Sequence, residues 1–247
     1  AGVEQDILAA RKAGMEMILI VRSTPAWAQQ NPGIFCGPIA EDALDEFGAF
    51  LHALVTRYSA PPFDVRYWEI WNEPDVAPAS VSPTSPYGCW GDAGAPYFGG
   101  GYYGQMLTVA YPQIKAADPA AQVLVGGLLL DCDPVNPPDD PPGSGNPKDC
   151  TSSKFLEGIL RYPGAKDAFD GVSFHAYDYF YNGYGAYGNL NWHSGWFASG
   201  GDIPANVQAV LVAKVSYLHS VLAAYGAPEK YLMNTEGALL CGGPVDP

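Results

Sequence analysis

The chain has 247 residues, of which 48% are hydrophobic and only 15% charged, and its formal net charge is -14. That size and apolar content suit one α/β-barrel domain or about one to two smaller domains. The acidity argues against a nucleic-acid partner, whose phosphates require a basic surface, and against an anionic membrane. No apolar run approaches the length of a membrane-spanning helix. No signal peptide is visible, but the chain opens at Ala1 inside a predicted helix, so the natural start is expected further upstream.

Residues 3–13 read as a helix closed by Gly14, a good C-cap residue. Residues 15–21 form a continuous apolar run with one charge, Glu16, which predicts a buried parallel strand. A loop carrying Trp27 follows over 23–38. Residues 40–58 predict an amphipathic helix, because Leu44, Phe47, Phe50, Leu51, Leu54 and Val55 fall on one stripe. The next strand is 65–71. A long loop rich in Pro, Gly, Ser and Tyr covers 74–101, then a helix 102–117 and a strand 123–130. A second long loop, 131–150, leads to a short helix at 153–162. A strand at 171–174 runs on into His175, Ala176 and Tyr177, and an aromatic loop covers 178–202. A long helix at 203–225, closed by Gly226 and Pro228, precedes the last strand, 231–234.

Alternating strands and helices imply a parallel sheet. The loops after strands are long and the loops after helices short, as at 118–120 and 227–229. That asymmetry is expected of a (β/α)8 TIM barrel, whose site lies at the C-terminal ends of its strands. A doubly wound sheet shares much of the pattern, but no G-x-G-x-x-G follows a strand, so a dinucleotide site has no support. About five strands can be counted where a barrel needs eight. Either three are hidden in loops or the barrel is incomplete, and the incomplete barrel is the preferred reading.

The cysteines, Cys36, Cys89, Cys132, Cys150 and Cys241, all fall in predicted loops and make no CxxC pair, so a zinc site is not expected. Cys132 and Cys150 bracket a Pro/Asp-rich excursion and are the first expected disulfide; Cys36 with Cys89 is the second, leaving Cys241 over. Loop cysteines of this kind favour an oxidising, extracellular or otherwise extracytoplasmic setting. Asp131, Asp133, Asp139 and Asp140 do not have the spacing of a calcium loop, and the prolines among them suit a solvated loop.

Two segments carry the chemistry. Trp68-Glu69-Ile70-Trp71-Asn72-Glu73-Pro74 and Met233-Asn234-Thr235-Glu236-Gly237 are both apolar, strand-like runs that end on a glutamate. A carboxylate at the end of a buried strand is costly unless the fold uses it. Two of them facing one cleft are the usual equipment for breaking a glycosidic bond. The chain is also rich in aromatics, 16 Tyr and 6 Trp, many of them in Gly- and Pro-rich stretches. Ring faces displayed there suit sugar stacking, although loop packing accounts for most. Glu69 shares strand parity with Glu73 and reads as a structural carboxylate, paired with Arg22 or Arg66.

Trp71-Asn72-Glu73-Pro74 after an apolar strand resembles the acid/base signature of clan A glycoside hydrolases, and Asn234-Thr235-Glu236-Gly237 is similar to their nucleophile segment. In that clan the acid/base ends strand four and the nucleophile ends strand seven. Here they end the second and fifth counted strands, three apart as the resemblance requires. It implies a single catalytic domain over 1–247 lacking the first two strands and the eighth, with the partner of Cys241 in the absent part. Within the clan the chain looks most like family 39 and its relatives, which include β-xylosidases and other exo-acting enzymes.

The resemblance implies retaining hydrolysis of β-O-glycosidic bonds in an oligo- or polysaccharide or glycoside, with no cofactor and no metal. Glu73 would be the acid/base and Glu236 the nucleophile. Asn72 would reach the sugar 2-hydroxyl, which requires a bent strand end, because neighbours on a strand face opposite ways. His175 and Tyr177 share a face and would contact the nucleophile or the sugar. Trp27 would line the sugar site, and Trp192 and Trp196 are candidate stacking platforms; Trp90 is a weaker one. His52 and His219 lie on helices and are expected to be structural or solvent-facing. The rival class is a catalytically silent carbohydrate-binding protein on the same scaffold, against which the retention of both glutamates argues. A nucleotide-binding module would need a phosphate loop that the sequence lacks. The sequence carries no cue to an oligomeric state.

Overall fold

The computed structural model describes residues 2–82, 87–140, 144–176, 192 and 210–237. Within them five strands form one parallel sheet: β1 (Ile18–Val21), β2 (Tyr67–Asn72), β3 (Gln122–Leu128), β4 (Gly171–His175) and β5 (Tyr231–Glu236). The helices are α1 (Gly2–Lys12), α2 (Leu44–Tyr58), α3 (Gly100–Ala117), α4 (Phe155–Arg161) and α5 (Val210–Ala224). The strand order is strictly sequential, β1-β2-β3-β4-β5. A sequential order is the one in which right-handed crossovers put the connecting helices on one face and curl a parallel sheet toward a barrel. A doubly wound sheet would reverse its order at a switch point.

The central strands carry the core. Trp68 and Ile70 of β2 and Val123 and Val125 of β3 pack with Leu51, Val55, Met106, Leu107, Ile114 and Ile159 from the helices. α2 has Asp45 and Glu46 in its first turn and Arg57 in its last, charges that match the helix dipole. Phe50, expected on the buried stripe of α2, is instead half exposed, while Leu44, Leu51 and Val55 are buried. The first strand is shorter than the apolar run predicts, and it is not buried: Ile20 is 44% exposed and Met15 lies outside the strand. The cause is position. Among the described residues β1 and β5 have a strand neighbour on one side only, and both are half-exposed, whereas β4 between two neighbours is buried throughout.

Cys132 bonds to Cys150 and Cys36 to Cys89; Cys241 lies outside the described residues. The acidic excursion between Cys132 and Cys150 is held by local bonds. Asp131 pairs with Lys148, and Asp133 accepts the N–H groups of Val135 and Asn136. No helix among the described residues is long and apolar enough to cross a membrane.

Candidate active site

The C-terminal ends of β2, β4 and β5 converge. Glu73 directly follows β2, His175 is the last residue of β4 and Glu236 the last of β5. The His175 Nδ1 atom lies 2.7 Å from Glu73 Oε1, and its Nε2 lies 3.5 Å from Glu236 Oε1. One donor atom from each of the three residues lies within 4.8 Å of the other two. Glu73 and His175 are buried, whereas the Glu236 side chain is 39% exposed.

Irregular backbone builds this arrangement. Trp71 and Glu73 both have positive φ, 77° and 47°, so the chain kinks on either side of Asn72. This is the bend that lets Asn72 and Glu73 lie together at the strand end; Asn72 is buried there and pairs in register with Gly127. The Glu73 N–H still donates to the Gly127 carbonyl, at 2.9 Å. In β5 the pairing with β4 steps from Phe174–Asn234 to His175–Glu236. The skipped residue, Thr235, is a bulge, and it sets Glu236 rather than Thr235 opposite His175. The pairing of β3 with β4 also shifts, between Val125 and Leu128.

Gly126 and Gly127 fill that shift. A Cβ on Gly126 would lie 2.5 Å from the Ile70 carbonyl oxygen and 2.6 Å from that of Trp71. A Cβ on Gly127 would lie 2.1 Å from His175 Nε2. The glycine pair therefore admits the β2 kink on one side and the imidazole on the other. Paired glycines inside an apolar strand are the sequence signal for such an approach.

Glu69 is fully buried on the sheet face opposite Trp68 and Ile70. It accepts the Gly127 N–H at 3.3 Å and interacts with Ser173, Thr235 and His175. The expected pairing with Arg22 or Arg66 is not formed, because Glu69 is fully buried whereas both arginines are exposed. Burial pushes its carboxyl pKa up; the Ser173 hydroxyl, the Gly127 N–H and His175 pull the other way.

Two residues outside the sequence-derived set stand beside the site. Asp75 is buried, and its carboxylate accepts the N–H groups of Leu129 (2.9 Å) and Leu130 (2.8 Å). Burial raises its pKa to about 6; the two N–H bonds oppose that rise and the negative charge of Glu73 adds to it. Lys214 of α5 is buried with its ammonium bonded to the carbonyls of Leu129 (2.7 Å) and His175 (2.8 Å). A single lysine in a mostly apolar helix was the available signal.

The aromatic candidates separate. Trp27 is 70% exposed in the loop after β1 and is free to meet a ligand. Trp192, expected as a stacking platform, is instead 3% exposed: its indole N–H donates to the Leu130 carbonyl and its ring meets Tyr217 edge-on. Trp90 is likewise buried, against Trp71, Tyr102 and Tyr103. Tyr177 and Trp196 lie outside the described residues.

Glu73, His175 and Glu236 have the donor types of a divalent-metal site. Binding there would use the same carboxylates that face the cleft, and a ligating Nδ1 would have to give up its 2.7 Å contact with Glu73.

No protein-family model matches the chain, and no curated protein matches it. Solved structures do. A glucosidase from Croceicoccus marinus aligns over 98% of this chain and 38% of its own, with TM-score 0.53 and 16% identity. A family 39 glycoside hydrolase from the gut symbiont Bacteroides cellulosilyticus WH2 aligns over 96% and 39%, with TM-score 0.52 and 19% identity. A monomeric β-xylosidase from Caulobacter crescentus CB15 aligns over 96% and 40%, with TM-score 0.52 and 18% identity. The chain thus spans about two fifths of the length of the structures it matches. The chain shares the fold of these glycoside hydrolase structures over that part. Its five parallel strands are an incomplete (β/α)8 barrel.

Proposed function

We propose that the chain is the catalytic part of a retaining β-glycosidase, with Glu236 as nucleophile and Glu73 as acid/base. The observation that carries this reading is the approach of the two carboxyl groups, with oxygens within 4.8 Å, at the ends of β2 and β5. Retaining enzymes hold their carboxyls about 5–5.5 Å apart, and inverting enzymes about 6.5–9.5 Å apart to admit a water.

In the first step a Glu236 oxygen attacks the anomeric carbon while the bond to the leaving oxygen breaks. The Glu73 proton passes to that oxygen. In the second step Glu73 takes a proton from water, the water oxygen bonds to the anomeric carbon, and the ester to Glu236 breaks. The environments suit the division: Glu236 is open to the cleft, and Glu73 is buried against His175. The bond from His175 holds one Glu73 oxygen and leaves the other for proton transfer. Asn72 stands next to Glu73 for the sugar 2-hydroxyl, and Trp27 offers a ring face on the same rim. The substrate is an oligosaccharide, polysaccharide or glycoside. The two disulfides support an extracytoplasmic setting.

The test is hydrolysis of aryl β-glycosides by the complete natural polypeptide that carries this sequence, alongside Glu236→Gly and Glu73→Gln. Both variants lose turnover, and azide restores Glu236→Gly by forming a glycosyl azide of inverted anomeric configuration. Undiminished activity in Glu236→Gly would remove the nucleophile assignment. Sugar binding without turnover in the unsubstituted protein would turn the reading to a carbohydrate-binding protein.

A further inference from the structure

Leu129 and Leu130, just beyond β3, form a dipeptide whose every backbone polar group is taken by a side chain. Asp75 accepts both N–H groups, at 2.9 and 2.8 Å. Lys214 donates to the Leu129 carbonyl and Trp192 to the Leu130 carbonyl, each at 2.7 Å. The three side chains come from three parts of the chain: the loop after β2, helix α5 and the segment between β4 and α5. Leu130 has a φ of 52°, a conformation that a branched residue adopts only when its surroundings over-determine it.

The clamp connects to the reacting groups at both ends. Asp75 follows Glu73 with only Pro74 between them, and a proline has one backbone torsion locked. Lys214 spends a second hydrogen bond on the carbonyl of His175 itself, at 2.8 Å. The two partners of the Glu73–His175 contact are therefore tied, each through its own backbone, to one rigid dipeptide. Asp75 and Lys214 are 3% and 1% exposed. Burying two opposite charges on either side of one peptide is costly, and a neutral helix–sheet contact would hold α5 in place without that cost. What charged groups add is stiff, directional hydrogen bonding.

We infer that Asp75 and Lys214 are positioning residues for Glu73: through the Leu129–Leu130 dipeptide they fix the backbone at both ends of the Glu73–His175 hydrogen bond. The role rests on the reading of Glu73 as acid/base. A shift of about 1 Å at such a bond costs about a hundredfold in rate.

The test uses the complete natural polypeptide with Lys214→Met, Lys214→Arg and Asp75→Asn. It reads kcat and KM on aryl β-glycosides, and the ring 15N and imidazole N–H resonances of His175. Lys214→Met lowers kcat about ten- to a hundredfold with KM changed less than about threefold. Its His175 resonances move toward those of an imidazole not bonded to a carboxylate, and Lys214→Arg restores both readouts. Unchanged resonances and unchanged kcat in a folded Lys214→Met protein overturn the inference. If Lys214→Met does not fold, Asp75→Asn takes its place with the same two readouts, because it loosens the dipeptide from its other side. The resonances need no turnover. A protein that hydrolyses no β-glycoside, but whose His175 signals respond to Lys214→Met, keeps the positioning link and overturns the glycosidase reading instead.

Discussion

Gly127→Ala is the sharpest perturbation of the site, because it adds one carbon and removes nothing. The new Cβ would lie 2.1 Å from His175 Nε2, 2.8 Å from Cδ2 and 3.0 Å from Cε1. Ordinary contact is about 3.5 Å, so the ring must withdraw by about 1.4 Å. His175 is fully buried, with no solvent to swing into. Its Nδ1 holds Glu73 at 2.7 Å, and a displacement of that size breaks the bond. Overpacking costs about 1–3 kcal/mol, and losing a hydrogen bond to a charged group about 1.5–3 kcal/mol. The variant should therefore lose about 3–6 kcal/mol in urea titrations and about a hundredfold in kcat/KM. The control is the same substitution in a His175→Ala background, where the removed ring leaves room for the added methyl. There Gly127→Ala should cost less than about 1 kcal/mol, so the double-mutant cycle shows a large coupling. Equal costs in both backgrounds would refute the reasoning, since the clash would then lie with something other than the imidazole.

Three further outcomes follow from the same geometry. Asp75 has a folded pKa of about 6 against an ordinary 3.8, so between those values the native chain holds a proton that the unfolded chain has released. Its stabilisation is present below about pH 4 and is lost as pH rises through about 6, to the extent of about 2–3 kcal/mol. Urea midpoints at a series of pH values should show a shallower decline in Asp75→Asn, and an unaltered slope would exclude Asp75 as its source. Closing loops with sequence separations of 18 and 53 residues predicts losses of about 3 kcal/mol for the double Cys132→Ser, Cys150→Ser variant and about 4 kcal/mol for Cys36→Ser, Cys89→Ser. Comparable denaturant midpoints in oxidised and reduced protein would contradict that. Finally, chelator treatment should leave aryl-glycoside turnover unchanged; a loss reversed by added zinc would mean that Glu73, His175 and Glu236 hold a metal.

The element order was legible because apolar periodicity and loop length are local. The tryptophan-rich second strand, the amphipathic helix ending at Tyr58 and the two glutamate-terminated runs all declare themselves within a few residues. The disulfides followed from loop placement. The first strand departs from the expected burial because, among the described residues, it has a strand neighbour on one side only. Trp192 departs from its expected exposure because Tyr217 of α5 packs against its ring. Asp75, Lys214 and the glycine pair passed unread, since each takes its meaning from a neighbour about 40 or more residues away.

By itself the sequence determined the alternation of strands and helices, the open rim and the two carboxylates three strands apart. Those are properties of short stretches of chain. Which way the carboxylates face was decided only by the tertiary structure. Side chains on a strand alternate with a period of two, so one inserted residue sends the next side chain to the other face. The bulge at Thr235 is such an insertion, and the positive φ of Trp71 and Glu73 re-aims the end of β2 without a change of register, beside Gly126 and Gly127. They turn Glu73 and Glu236 toward the same histidine.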